Sequence, residues 1–451
     1  MRTVEDLHSI FFTLPLLQRA NFDTFKMPGA SQLQKSPSSG IRVLIVGAGF
    51  AGLTAAIECS RKGHTVTVLE NFPELKSLGD IISFGQNAGR IFQRWPGIEE
   101  QFDIICHNSD RLQFFTWKGE HIIDQIWAED EDFGKRFNGH RGEMHKILFN
   151  YALELGIDIR LDHKVEEYFE TDDEASVVCN GEHITADVIL AADGVRSMAR
   201  TIVLGYEDKA KSSGYAIYRA WMSSDALAKN PLTRDLIVHG DSHIGYLGPD
   251  IHWLGAAVTA TNSYSWVCTH CDDREVNEGW QEPGDVEDAC KVLEGWAPVV
   301  HAIVRATPPE KLVDWKLVYR DPLPTWISPK SRIALIGDAA HPFLPTSIQG
   351  ASQAMEDGVT VAVCLELSGN QQVQTALRAF EKIRYERVRA VQKTGETTRD
   401  TWHKANFDHV LKNPTMVKLK REAWILDHDA EKHAYDVYSE TVKKMEKTKY
   451  W

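Results

Sequence analysis

The first strong hydrophobic pattern in the chain is Arg42 to Val46, a run of aliphatic and β-branched residues that suits a strand buried on both faces of a parallel sheet. Leu53, Ala56 and Ile57 then recur at helical spacing, Gly63 fits the end of that helix, and Thr65 to Leu69 reads as a second strand. A turn-rich passage, Leu78 to Asn87, leads into a helix around Ala88 to Trp95. Leu112 to Trp117 and His121 to Ile126 alternate as strands joined by a Lys118-Gly119 turn. A helix opens at Gly139 and continues to about Leu155. Ile157 to Leu161, Lys164 to Phe169 and Ala175 to Cys179 read as further strands, and Asp187 to Ala191 as a buried one. From Gly214 to about Pro329 the segments are short, alternating and rich in Trp and Tyr, which suits a separate sheet-based domain able to hold an apolar or aromatic ligand. After a strand-then-acid stretch at Arg332 to Asp338, the pattern from Thr375 onward is helical with dense charge.

The turns at the strand ends carry the chemistry. Gly47 allows a tight turn after the first strand, Gly49 lets backbone approach a pyrophosphate, and Gly52 lets the next helix pack closely on the strand. The helix begins with free N–H groups aimed at phosphates. Glu70 follows Gly52 by 18 residues, at the tip of the second strand, where a carboxylate can accept from a ribose diol. Two later strands end in similar acids: Asp193-Gly194, within Ala191 to Ser197, and Gly337-Asp338, within Arg332 to Gly358.

Composition narrows the field. At 451 residues, 43% hydrophobic and 25% charged, the chain is an ordinary soluble globular one with room for two or three cores. A formal charge of −14 opposes nucleic acid and anionic membrane surfaces, both of which are normally met with excess Lys and Arg. Seven cysteines without small-scaffold spacing suit reduced thiols inside a cell, and Cys268-Thr-His-Cys271 is only half of a metal site, so no metal is expected. No run of about 18 apolar residues predicts a spanning helix. Ile10 to Leu17 is wrong for a targeting peptide, so a cytoplasmic protein is expected, and Met27, within a flexible leader, reads as an alternative start. Trp402, Trp424 and Tyr435 read as packing residues.

With the three glycine and acid motifs in this order, the chain from Ile41 to the C-terminal helices resembles the class A, single-component FAD-dependent aromatic monooxygenases. These are typified by salicylate and 4-hydroxybenzoate hydroxylases, and the likeness is closest to fungal secondary-metabolite members that act on phenols or indole alkaloids. The resemblance implies an α/β fold. It has a Rossmann-like FAD-binding domain of the glutathione-reductase type, an inserted β-sheet substrate domain and a C-terminal helical region. The expected layout is a leader over 1–40, FAD-binding parts over 41–107, 140–213 and 330–400, substrate-domain strands over 108–139, a substrate-binding domain over 214–329 and C-terminal helices over 401–451. FAD contacts carried over from the family are Gly47, Gly49, Gly52, Glu70, Arg141, Asp193, Gly194, Gly337, Asp338, Gln349, Gly350 and Ala351. Asp193-Gly194 also serves NADPH or NADH, and the helix from Gln349-Gly350 lies beside the flavin ring. Many relatives have Gly or Ala where this chain has Ile348.

The implied reaction uses NAD(P)H and O2, and passes through a flavin carbon-4a hydroperoxide that needs a dry site and an electron-rich aromatic carbon within reach. Arg219 and Asp80 are the expected catalytic residues. Arg219 would pair a phenolate or aid release of the outer oxygen, unless it faces solvent. Asp80 would act as acid, base or acceptor. Tyr218 and Tyr246 are expected to line the substrate pocket, and His341 reads as structural before catalytic. An NAD-linked dehydrogenase would leave two of the three motifs unused. A tryptophan halogenase would carry a Trp-x-Trp-x-Ile-Pro signature that is missing, and a flavin-binding scaffold without turnover remains the alternative of a different class.

Overall fold

Five short aliphatic strands form the centre of the molecule, in the order Ile333–Leu335, Val188–Ala191, Arg42–Val46, Thr65–Leu69, Asp158–Arg160, and every neighbouring pair is parallel. The computed structural model describes residues 29–75, 79–127, 133–272 and 282–447. Strands Val188–Ala191 and Arg42–Val46 are almost wholly aliphatic and buried because helices cover the sheet, whereas in Thr65–Leu69 the less buried Thr65 and Thr67 alternate with buried valines. Helices Phe50–Arg61 and Gly350–Ser368 cross closely at Gly358, where an added Cβ would sit 2.7 Å from Ala55 N.

A second, eight-stranded sheet runs in the order Glu282–Pro283, Leu312–Tyr319, Lys211–Ser223, Ser263–Cys271, Ile251–Val258, Ser242–Gly248, Arg111–Thr116, His121–Ile126. One face packs beneath helices Val286–Val292 and Pro298–Arg305, around Trp253, Trp266 and Trp296. The fold is thus α/β, with the expected FAD-binding architecture, several sheets and helices at the C-terminal end. Among the described residues no helix is long and apolar enough to cross a membrane.

Several local expectations are corrected. The passage before Asn87 is not all turn: Ile81–Phe84 is a strand paired antiparallel with Phe137–His140, and the following helix starts at Gln86. Residues 29–40 are not a loose leader. Ala30 is buried, Ser36 N donates to Arg61 O (2.8 Å) and Ser39 N to Gly63 O (2.9 Å), so this stretch straps the end of the first helix. Met27, the rest of residues 1–28 and Leu78 lie outside the described residues. The boundary drawn at residue 400 falls inside one helix, Val373–His403. Cys268 and Cys271 share strand Ser263–Cys271, and three residues of a period-two element put them on opposite faces, the first buried and the second exposed.

Tyr218 and Tyr246 do not line a pocket with Arg219. Cross-strand partners Tyr246, Trp253, Cys268 and Tyr218 form one row across the sheet, on the face buried under the two helices. Arg219 belongs to the next row, with Val267, Leu254 and Gly245, and therefore to the opposite face.

Candidate active site

The three motif turns lie side by side at the carboxyl edge of the parallel sheet, where open α/β sheets bind ligands. Gly47 N donates to Leu69 O (2.7 Å), Ala192 N to Val46 O (2.8 Å) and Ile336 N to Ala191 O (3.0 Å), which stitches the ends of four strands together. Gly47, at φ +100°, has no room for a side chain, since a Cβ would meet Ala192 O at 2.4 Å. A Cβ on Gly52 would lie 1.9 Å from Gly47 O. Gly49 is different: its φ of −70° suits any residue and nothing lies within 4 Å of an added Cβ. The protein itself gives no reason for a glycine there, but a ligand held against the backbone does.

Around that opening stand groups suited to a dinucleotide. Glu70 braces the glycine turn, accepting from Ala48 N (2.7 Å) and Phe72 N (3.0 Å). His145 Nε2 lies 2.6 Å from Ala48 O; burial lowers its pKa, so the neutral ring donates to that carbonyl. Asp193 Oδ2 accepts from Tyr168 Oη (3.0 Å) and Met198 N (3.3 Å), while burial raises its carboxyl above the ordinary range. Gly194 takes φ +77° in the turn that follows. A Cβ on Gly337 would be 2.8 Å from Ala51 Cβ, so the third motif touches the helix of the first. Asp338 projects into the cleft with no hydrogen-bond partner among the described residues, open to water there yet deep enough that burial raises its carboxyl, against His341, Arg141 and Arg200. Arg200, which the sequence did not single out, holds this turn from behind through Ala339 O (2.7 Å) and Asp338 O (2.9 Å).

The helix beside the expected flavin ring is anchored by buried charge. Gln349 Oε1 accepts from Asn87 Nδ2 (3.0 Å) and Gln353 Nε2 (3.3 Å), ahead of Gly350 and Ala351 in the first turn. One turn on, Glu356 meets Arg384 and Arg387, and Asp357 accepts from Arg384 Nε (2.8 Å), Gly337 N (2.9 Å) and His341 Nε2 (2.5 Å). His341 is thus a structural link between the Gly-Asp turn and the helix. Burial alone would raise these carboxyls, but Arg387 and Arg384 outweigh it for Glu356, and His341 with Arg384 for Asp357, so both end below the usual range. Their stabilising effect is present above the unfolded carboxylate values and is lost as pH falls through the folded ones. Arg384→Met, which takes one charged partner from each of two buried carboxylates and leaves Glu356 with Arg387 and Asp357 with His341, should cost about 3 kcal/mol in denaturant unfolding at neutral pH. That cost should shrink as pH drops below about 4, where the unfolded chain takes up protons.

Asp80 and Arg219, 139 residues apart, meet: Arg219 Nη1 is 3.3 Å from Asp80 Oδ1, with the side chains only 7% and 16% exposed. Arg219 also lies over Trp315, 4.5 Å from the ring centroid, and Asp80 O accepts from Arg141 N (3.0 Å). The pair therefore sits in direct backbone contact with the expected flavin-binding arginine. A cavity of about 230 Å³, lined by neither Asp80 nor Arg219, opens beside the end of strand Ile81–Phe84 and the turn that precedes the helix Gly350–Ser368. Phe84, Trp127, His243, Ile348, Thr394 and Trp402 are among its walls. The cavity combines strand ends, the flavin-helix segment and the long helix Val373–His403.

Ile348 stands out in this wall. It has φ +53°, and among the described residues the other non-glycine positions of positive φ are Asp, Asn or Ser. A β-branched residue in that region costs about 1–2 kcal/mol.

The residues present fit FAD: a glycine whose missing side chain only a ligand explains, a helix N-terminus beside it, an unpartnered carboxylate at Asp338 and an exposed Arg141 facing the same cleft. The comparisons agree. The model of the FAD_binding_3 family, described as an FAD binding domain, matches residues 40–394. Asperlicin C monooxygenase of Petromyces alliaceus is 35% identical over 90% of this chain and 90% of its own length. Notoamide E oxidase notB of Aspergillus sp. (strain MF297-2) is 36% identical over 89% of each. The crystal structure of CtdE in complex with FAD and substrate 4 superposes with a TM-score of 0.85 at 36% identity, over 90% of this chain and 100% of that one. A salicylate hydroxylase substrate complex, at 24% identity and a TM-score of 0.74, shares the fold. The chain belongs to the FAD_binding_3 family, and is an FAD-dependent monooxygenase akin to those of fungal secondary metabolism.

Proposed function

We propose that this monooxygenase takes electrons from NADPH or NADH and hydroxylates or epoxidises an aromatic small molecule, an indole alkaloid or a phenol, held in the cavity walled by Trp127, Ile348 and Trp402. The observation that carries the reading is the junction of the buried Asp80–Arg219 pair with Arg141, on the edge of the cleft that fits FAD. Names of relatives point the same way: asperlicin C and notoamide E are what two of them act on.

FAD, held at Gly47, Gly49, Gly52, Asp193, Asp338 and the N-terminal turn at Gln349 to Ala351, supplies the activation of oxygen. Everything else is the chain's own work. The Trp127 and Trp402 rings and the apolar side chain of Ile348 offer the guest apolar contact, in a wall that also carries Arg136, Lys393 and Arg421. The remaining N–H groups of Arg219 can donate to an oxygen atom that gains negative charge as it departs, or to a phenolate oxygen. Asp80 fixes the guanidinium and can accept a proton from a substrate N–H or O–H. The eight-stranded sheet acts as the substrate-binding part because Arg219 stands on the face opposite the helices Val286–Val292 and Pro298–Arg305, where it meets Asp80.

The test is a panel of phenols, indoles and indole-bearing cyclic dipeptides screened for compound-stimulated NADPH and NADH oxidation by the yellow holoenzyme, with products identified by mass. A product heavier by one oxygen is expected from at least one electron-rich aromatic compound. Stimulation by none of them, or oxidation products that gain no oxygen, would return the chain to the reading of a flavin-binding protein without monooxygenase turnover.

A further inference from the structure

The backbone at residue 348 asks for glycine, and the chain supplies isoleucine. The conformation is imposed from several sides at once. Ile348 N donates to Pro345 O (3.0 Å), Ser347 Oγ accepts from Gln349 N (3.2 Å), and Gln349 is tied to Asn87 and Gln353. Behind the turn, Thr346 Oγ1 donates to Gly395 O (2.8 Å). Gly395 lies in the middle of the helix Val373–His403, where a glycine weakens the helix. Its reason is local, since a Cβ there would stand 3.0 Å from Ser347 N and 2.9 Å from Ser347 Cβ. The long helix therefore presses against the turn, and a glycine at 348 would satisfy every one of these contacts without strain. The side chain at 348 returns no hydrogen bond for its cost. It is only half-buried, and what it borders is the cavity, whose walls also include Phe84 and Leu426.

We infer that Ile348 is a specificity-determining residue: a strained apolar stop that sets how deep the aromatic guest enters the cavity beside the helix Gly350–Ser368. Strain kept where the fold gains nothing from it is the mark of a site whose geometry is used. The inference rests on the reading of this cavity as the substrate site. It makes the stop a property of the guest's contact and not of the fold.

Ile348→Gly removes strain and stop together, and Ile348→Val keeps both in slightly smaller form. In the holoenzyme and the apoprotein, Ile348→Gly is expected to melt within 1 °C of the parent or above it. It should retain FAD, yet the fraction of NAD(P)H oxidation that yields oxygenated product should fall at least fivefold with the best compound of the panel. Ile348→Val should keep at least half of that fraction. A melting point lowered by more than 1 °C makes Ile348 an ordinary packing residue and overturns the inference, as does Ile348→Gly with undiminished coupling or Ile348→Val with the same loss as glycine. If the parent enzyme oxygenates no compound of the panel, the function reading fails first, visibly in the parent, and the inference falls with it.

Discussion

Gly49→Val is expected to yield a folded, colourless protein. The substituted side chain meets nothing in the protein within 4 Å of its Cβ, and the backbone at φ −70° accepts valine without strain, so melting of the apoprotein should stay within about 1 °C of the parent. Its methyls would instead fill the space that a pyrophosphate needs against the N-terminus of helix Phe50–Arg61, and FAD affinity should fall by about a hundredfold or more, roughly 3 kcal/mol. Gly52→Ala is the matched contrast. Its Cβ would lie 1.9 Å from Gly47 O, so that variant should lose stability whether or not FAD is offered. The two glycines of one motif thus separate cleanly, one serving the ligand and the other the fold. Flavin absorbance per polypeptide and thermal melting of the apoproteins measure both, and a fully yellow Gly49→Val protein would remove the pyrophosphate from this turn.

That separation also shows which parts of the structure were legible in the sequence. A glycine turn can be read because its spacing is local and its steric demand is absolute, and the same holds for the acids that end buried aliphatic strands. Strand Ile81–Phe84 could not be read, since its partner Phe137–His140 lies more than fifty residues away and neither segment has a hydrophobic alternation of its own. Tyr218 and Tyr246 were expected to line the substrate pocket, but period two puts Tyr218 and Arg219 on opposite faces of one strand, and the sequence does not show which face will be roofed by helices formed some seventy residues later. Arg384 and Arg387 sit in a charge-dense helix that reads as solvated surface. They are instead drawn inward by Glu356 and Asp357, acids in what reads as the apolar helix behind the Gly-Asp turn. The cavity wall was the least visible part, because Trp127, Ile348 and Trp402 are brought together only by tertiary packing.

Arg219→Ala is expected to keep FAD and lose oxygenating turnover by at least tenfold, the loss being the donor it offers to developing negative charge. FAD retention is expected because Arg141, Asp338 and the glycine turn are untouched, and Asp80 keeps its backbone bond to Arg141. Asp80→Asn should preserve the side chain's shape while removing its charge, which frees the guanidinium to swing over Trp315 without a fixed partner. If the two act as one unit, the double variant Asp80→Asn/Arg219→Ala should be no slower than the worse single one, since the second loss finds nothing left to remove. If they act separately, the losses multiply. Arg219→Lys discriminates further, because an ammonium can meet Asp80 but cannot hold it and a second oxygen with a planar fork, so it should recover stability before it recovers rate. Single-turnover rates with the best compound, read beside flavin content, decide among these outcomes. Turnover in Arg219→Ala equal to the parent's would return this arginine to a purely structural role beside Trp315, and the search for the group that stabilises the departing oxygen would move to the cavity wall at His243.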